Sequence, residues 1–230
     1  MKKMKIAPPL RFFLAAFGIE LLRSVLTTFS YLLDNGGSPL AYPVFKLSET
    51  LGIFLFFAAI GVAFAAASHS LKRATLLLFL ESGAYFLGGF FMLVWMALLL
   101  GQGIDPETLA LLIGSAIDSS ILPLFAAFFL GYAVFQRKDR TSVPKGYHDL
   151  SSAPVKATML SACLLLLYRL FGKIMYALDF LNYFLLPSTK ETVTIILDFV
   201  LILITSVCGY YITLLARRLY RRTELRAAKE

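Results

Sequence analysis

The residues best placed to do chemistry are Gly114-Ser115-Ala116-Ile117-Asp118-Ser119-Ser120-Ile121-Leu122-Pro123, where hydroxyls surround one carboxylate inside apolar sequence. Pro123 has no N–H for the carbonyl of Ser119, and its ring clashes with that carbonyl, so a helix here kinks or loosens beside Asp118. A freed carbonyl, a carboxylate and neighbouring serines make an oxygen-rich site suited to a small solute, a proton or a cation. A proline that merely bends the helix is the structural alternative. Asp118, Ser115 and Ser119 are the leading candidate ligands.

Seven further ionisable residues lie in apolar stretches: Glu20, Arg23, Glu81, Arg169, Lys173, Asp179 and Asp198. At a bilayer centre each costs about 2.5 to 3.5 kcal/mol on insertion scales, so each should face a bundle interior and find a partner. With Asp118 they amount to five acids against three bases. At least two carboxylates therefore lack a basic partner within the apolar segments and must be protonated, hydrogen-bonded, wetted or bound to a cation. Glu20 and Arg23 stand at i, i+3, a spacing that favours mutual neutralisation, with a substrate contact as the other reading.

Arg169, Lys173, Tyr176, Asp179 and Tyr183 form a polar stripe on one helix face. If the first part of that helix is interfacial, Arg169 lies near the membrane surface and Lys173 snorkels. Glu81 shares a face with Tyr85 and Gly88, and Asp198 one with Thr205 and Gly209, but the two acids enter the membrane from opposite sides and need not meet. Glu20, Arg23 and Lys173 are thus expected as polar neighbours of the Asp118 site, and Glu81 and Asp198 as accessory acids.

Other chemistries find little support. His69 and His148 belong to no metal-ligand spacing, so neither a metal nor a cofactor is expected. There is no Gly-x-Ser-x-Gly nucleophile turn and no phosphate-cradling glycine loop. Asp118, Asp179 and Asp198 could in principle share a proton as an aspartyl dyad, but none stands in a Gly-x-Gly-Asp context. No catalytic residue is assigned. Cys163 and Cys208 lie in apolar runs, where thiols behave as small hydrophobes.

The elements that must position these groups follow from composition. The chain has 230 residues, 59% of them hydrophobic and 16% charged, with a mean hydropathy of +0.77. That is too little polar material to cover a water-exposed surface, which excludes a soluble enzyme. Apolar runs long enough to cross about 30 Å of hydrocarbon occur at roughly 11–33, 51–68, 75–100, 109–134, 157–186 and 192–215. Turn or charge signals fill every gap, such as Asp34-Asn35-Gly36-Gly37-Ser38-Pro39 and Gly101-Gln102-Gly103-Ile104-Asp105-Pro106. No period-2 alternation supports a barrel. The expected fold is all-α, a polytopic integral membrane bundle of six transmembrane helices forming one domain over 1–230. Span 2 carries no charge and reads as structural, its Ala58, Gly61 and Ala65 permitting close helix approach. Span 5 is longer than a crossing needs, so it tilts, breaks or extends beyond the membrane.

The basic residues orient the bundle. The opposite loops hold Lys46 and Lys190, and Arg23, Arg169 and Lys173 lie within spans. All other Lys and Arg fall at the N-terminus, in the 2-to-3 loop, in the 137–154 loop and the start of span 5, or in the 217–230 tail. The positive-inside rule makes both termini cytoplasmic, in the plasma membrane. Anionic lipid facing these segments accounts for the net charge of +8 without any nucleic acid. The tail Arg217-Arg218-Leu219-Tyr220-Arg221-Arg222 could also dock a cytoplasmic partner protein. Pro8-Pro9, Arg11 and Glu20 interrupt any signal-peptide pattern, so the first apolar run reads as a retained helix. Spans 1–3 and 4–6 would be related by inverted topology, with Gly18 to Phe29 aligning on Gly114 to Phe125. Tyr31, Tyr42, Trp95, Tyr183, Tyr210 and Tyr220 stand near span ends, as aromatic belts require.

In span number, length and terminal orientation the layout resembles the substrate-binding subunits of energy-coupling-factor transporters, without a shared motif. The expected function is a small-solute or ion transporter, or a solute-binding membrane subunit, with a polar midplane site. A non-catalytic membrane scaffold or complex subunit is the alternative, and an intramembrane aspartyl-type enzyme the minor one.

Overall fold

Pro8 and Pro9 open the first helix, α1 (Pro8–Asn35), because first-turn residues have no intrahelical use for the N–H that proline lacks. It ends at Gly36 and Gly37, and Gly37 adopts φ of 66°, a left-handed conformation that costs glycine little. The computed structural model describes residues 7–67, 69–100, 105–117, 121–135, 153–183 and 189–229. Among these the chain is all helix, with no strand: α1 is followed by α2 (Ala41–Ala67), α3 (Leu71–Leu100), α4 (Pro106–Ala116), α5 (Leu122–Phe135), α6 (Ala153–Tyr183) and α7 (Thr189–Lys229). Among the described residues four helices are long and apolar enough to cross a membrane: Pro9–Asn35, Ala41–Ala67, Leu71–Leu99 and Ile196–Ala228. These apolar helices mark a membrane protein.

Helix bounds depart from the apolar runs in three places. α2 begins ten residues before the run at 51–68, taking in Tyr42, Lys46 and Glu49. A helix propagates through polar residues once nucleated, so hydropathy finds the apolar part of a helix and not its ends. α7 likewise continues through the basic stretch to Lys229, so the expected tail at 217–230 is helical as far as it is described. The run at 109–134 is divided between α4 and α5. Ile117 and Ile121 have the wide winding of a π-helix, and Pro123 is the second residue of α5; residues 118–120, where the kink beside Asp118 was expected, lie outside the described residues. Asp105 caps α4 by accepting 2.6 Å from the Thr108 N–H, which holds its carboxyl below the usual range. The loop at 137–154 lies outside the described residues except for its last two. The long fifth run is one continuous helix, α6, as far as it is described.

α2 sits at the centre, packed against α1, α3, α5, α6 and α7. Its Ile60, Ala63 and Phe64 are fully buried, and the Phe64 ring lies 4.8 Å from that of Phe128 in α5. Lipid tails are as apolar as leucine, so close van der Waals packing must hold such helices together. Glycines supply it: a Cβ on Gly61 would run into the Thr213 carbonyl of α7, one on Gly209 into the Phe57 ring, and one on Gly88 into Glu20 of α1. The expected role of small residues in span 2 is realised at Gly61.

Helix directions follow from paired contacts. Lys46 meets Asp198, Phe57 meets Gly209 and Gly61 meets Thr213. Residue numbers rise together in these pairs, so α2 and α7 run parallel. Ser161 bonds the Ala127 carbonyl while Gly131 abuts Ala157, so α5 and α6 run antiparallel. The start of α1 and the last turns of α7 meet where Phe12 packs edge-on against Tyr220 at 5.2 Å. His69 and Arg73 reach Glu224 at the same end, as Arg217 reaches Thr158. Hereafter this is the basal end.

Candidate functional site

The charged side chains fall into three groups strung along α2. The first joins α1 to α2 and α3. Arg23 Nε lies 2.8 Å from Glu20 Oε2, and Glu20 is 0% exposed. The i, i+3 pairing expected from spacing is present. Hydroxyls stitch the surrounding helices: Ser24 Oγ donates to the Gly88 carbonyl at 2.8 Å, Ser48 Oγ to the Arg23 carbonyl at 3.0 Å and Tyr85 OH to the Gly52 carbonyl at 2.9 Å. Thr27 and Ser48 are 2.6 Å apart. The Arg23 guanidinium stands 5.7 Å from the Tyr85 ring centre, and Tyr85 stacks on Phe56 at 4.8 Å. Arg169 of α6 lies 4.6 Å from the centre of the same Phe56 ring. Arg169 therefore packs against the α2 core. Its guanidinium finds an aromatic face where the sequence offers no adjacent acid.

The second group lies toward the far end. Lys46 Nζ sits 2.6 Å from Asp198 Oδ1 and 2.7 Å from Glu49 Oε2, and Tyr42 OH donates to Asp198 at 3.0 Å. Asp198 is thus closed into a helix-to-helix clamp between α2 and α7. Sequence reasoning assigned Lys46 to a loop and missed Glu49, because neither belongs to an apolar run. Asp198 and Glu81 stay apart as expected: the α2 residues that share a cavity with Glu81, Leu55 to Val62, lie beyond Lys46 by about 14 to 24 Å of helix.

The third group is Glu81 of α3. It is 8% exposed, its Oε1 has no hydrogen-bond partner, and no ion pair reaches it among the described residues. Glu81 faces a cavity of about 260 Å³ between α1, α2, α3 and α7. Phe12, Phe13, Ala16, Leu55, Ala59, Val62 and Leu77 help to line it, and among the described residues Glu81 is the one ionisable side chain in its wall. An uncompensated carboxylate in such a place must be protonated or meet a cation. The sequence ranked Glu81 as accessory; its signal was the surplus of acids over bases, which could not say which acid stays unpaired.

Asp118 and Ser119 lie outside the described residues, as do the side chains of Ser115, Lys173 and Asp179. Of the remaining candidates, Glu20 and Arg23 are brought together, Glu81 lines a cavity that Ile19, the chain neighbour of Glu20, also lines, and Asp198 belongs to the separate clamp. No three His, Cys, Asp or Glu side chains converge into a metal-binding group among the described residues. No protein-family model, curated protein or solved structure matches the chain.

Proposed function

We propose that the chain is a multi-pass membrane protein that binds a small solute inside its bundle, as a small-solute or ion transporter or as the solute-binding subunit of one. The observation that carries this reading is Glu81, a buried carboxyl whose Oε1 has no hydrogen-bond partner, facing an apolar cleft in a region where an unused charge is costly. Asp118, with Ser115 and Ser119, is the proposed second polar group, one turn before Pro123. Lys173 is its proposed basic neighbour. Proton or cation coupling at Glu81 and Asp118 follows from the acid surplus.

Six crossings with both ends in the cytoplasm accompany the proposal, in the cell membrane. The parallel course of α2 and α7 supports it, because it requires an even number of reversals between them. α5, at 14 residues, measures about 21 Å and needs α4 to complete a crossing. The concentration of Lys and Arg near the basal end supports the orientation.

The test is thermal unfolding of the purified full chain with pools of small solutes. At least one pool should raise the midpoint by about 3 °C or more, and Glu81→Gln should lose that response. If no pool moves the wild type, or if Glu81→Gln responds as the wild type does, the reading is wrong. A scaffold is the second reading, favoured by the closed Glu20–Arg23 and Lys46–Asp198 pairs. It takes precedence in that event, with the basal basic residues as the proposed contact for a cytoplasmic partner.

A further inference from the structure

We infer that the solute held at Glu81 is a small hydrophobic amine, admitted sideways from the hydrocarbon layer between α1 and α7. The inference rests on the proposed role of Glu81 as a ligand anchor.

Size comes first. An apolar cavity of about 150 Å³ holds benzene; at about 260 Å³ this one has room for a ring with a short chain. Its chemistry narrows the class. Leu55, Ala59, Val62 and Leu77 form apolar walls, and Glu81 is the single acid. A sugar, a nucleotide or a zwitterion would bury polar groups with nothing to bond, at a cost of several kcal/mol, about 1 to 3 or more for each. An anion would meet the Glu81 carboxyl and no cation among the described residues of the wall. A purely apolar guest would leave Glu81 Oε1 as partnerless as it is in the empty site. One nitrogen on an apolar body satisfies both the walls and the carboxylate. Arg23 already neutralises Glu20, so one positive charge completes the balance.

The entrance follows from exposure. Ile19 of α1 and Leu215 and Leu219 of α7 line the cavity and are also exposed on the outer surface, Ile19 at 37%. The Phe12–Tyr220 contact closes the cleft at the basal end. The opening therefore faces an apolar exterior, from which a neutral amine, soluble in lipid, can enter. Inside, the proton on the Glu81 carboxyl transfers to the amine lone pair, leaving an ammonium–carboxylate pair with no other bond changed.

The experiment uses the full chain in phosphatidylcholine nanodiscs and measures binding of 2-phenylethylamine and of 2-phenylethanol, its uncharged counterpart of like shape. The amine should bind about tenfold more tightly or better, as a charged hydrogen bond implies. Glu81→Gln should bind the two alike, and Ala59→Leu, which fills the cavity, should lose both. Equal binding in the wild type with loss of both in Ala59→Leu would overturn the amine while leaving the solute site standing. If neither compound binds, or if Ala59→Leu changes nothing, the site itself is overturned too. Should Glu81→Gln fail to fold, infrared difference spectra of the wild type decide: amine, and not alcohol, should convert a protonated carboxyl band to a carboxylate band, and an unchanged band overturns the inference.

Discussion

Glu20 and Arg23 illustrate how a charge persists within an apolar bundle. Glu20 is fully enclosed, and its counter-charge comes from one turn along its own helix, so no other element has to be in place for the pair to form. Arg23 engages Oε2 of Glu20 and leaves the buried Oε1 without a hydrogen bond, so the counter-charge is what holds this carboxylate, and removing it leaves an uncompensated buried charge. Arg23→Ala should therefore destabilise the bundle by about 3 to 5 kcal/mol. The joint replacement Glu20→Leu with Arg23→Met should recover most of that loss. Unfolding in mixed detergent micelles measures both, and a single variant no worse than the double one would contradict the account. Glu81 differs in kind: it has no such local partner, so its state depends on what enters the cavity.

At the scale of the helix, contact distance is set by what is missing. Gly61 and Gly209 face one another's helices where a methyl group would strike the Thr213 carbonyl or the Phe57 ring. Gly83, on α3, has open space around the position of a Cβ. Gly61→Ala should then force α2 from α7 and cost about 1 to 3 kcal/mol through overpacking, whereas Gly83→Ala should be neutral or slightly stabilising because alanine favours helix. Thermal unfolding midpoints of the two variants provide the comparison, and equal effects would refute the parallel α2–α7 packing. The same interface carries the Lys46–Asp198 clamp, so α7 is fixed to α2 at both polar and apolar levels. The last turns of α7 are equally fastened: Arg217 is 2% exposed and donates to Thr158 of α6 at 3.1 Å. Part of the basic stretch thus acts within the molecule, while Arg218, Leu219 and Arg222 remain exposed.

For the whole molecule, the outward face is apolar over most of its height, with Leu98, Val207 and Tyr211 more than half exposed, as suits contact with acyl chains. Cys163 and Cys208 also lie on exposed faces. The proposed orientation has a direct consequence. With both cysteines replaced by alanine, a cysteine introduced by Asn35→Cys should react with an impermeant maleimide on intact cells. Those introduced by Ala7→Cys and Arg226→Cys should react only after permeabilisation. The reverse pattern, or a split between Ala7→Cys and Arg226→Cys, would overturn the shared cytoplasmic side of the two ends. Much of this architecture was legible beforehand, and for a physical reason. Transfer of an apolar run out of water depends on composition alone, so the helices announce themselves one at a time, and the Glu20–Arg23 pair is legible because it is local. Helix ends were less so, since α2 and α7 extend through polar residues that hydropathy discounts. What only the tertiary structure decided is which distant groups meet. Lys46 finds Asp198 across the parallel α2–α7 contact, Ser48 finds Thr27 across a turn, Arg169 finds Phe56, and Glu81 finds a cavity and no partner. Those encounters are set by how closely glycines let helices approach and by the register in which they pack, neither of which is written in any one segment.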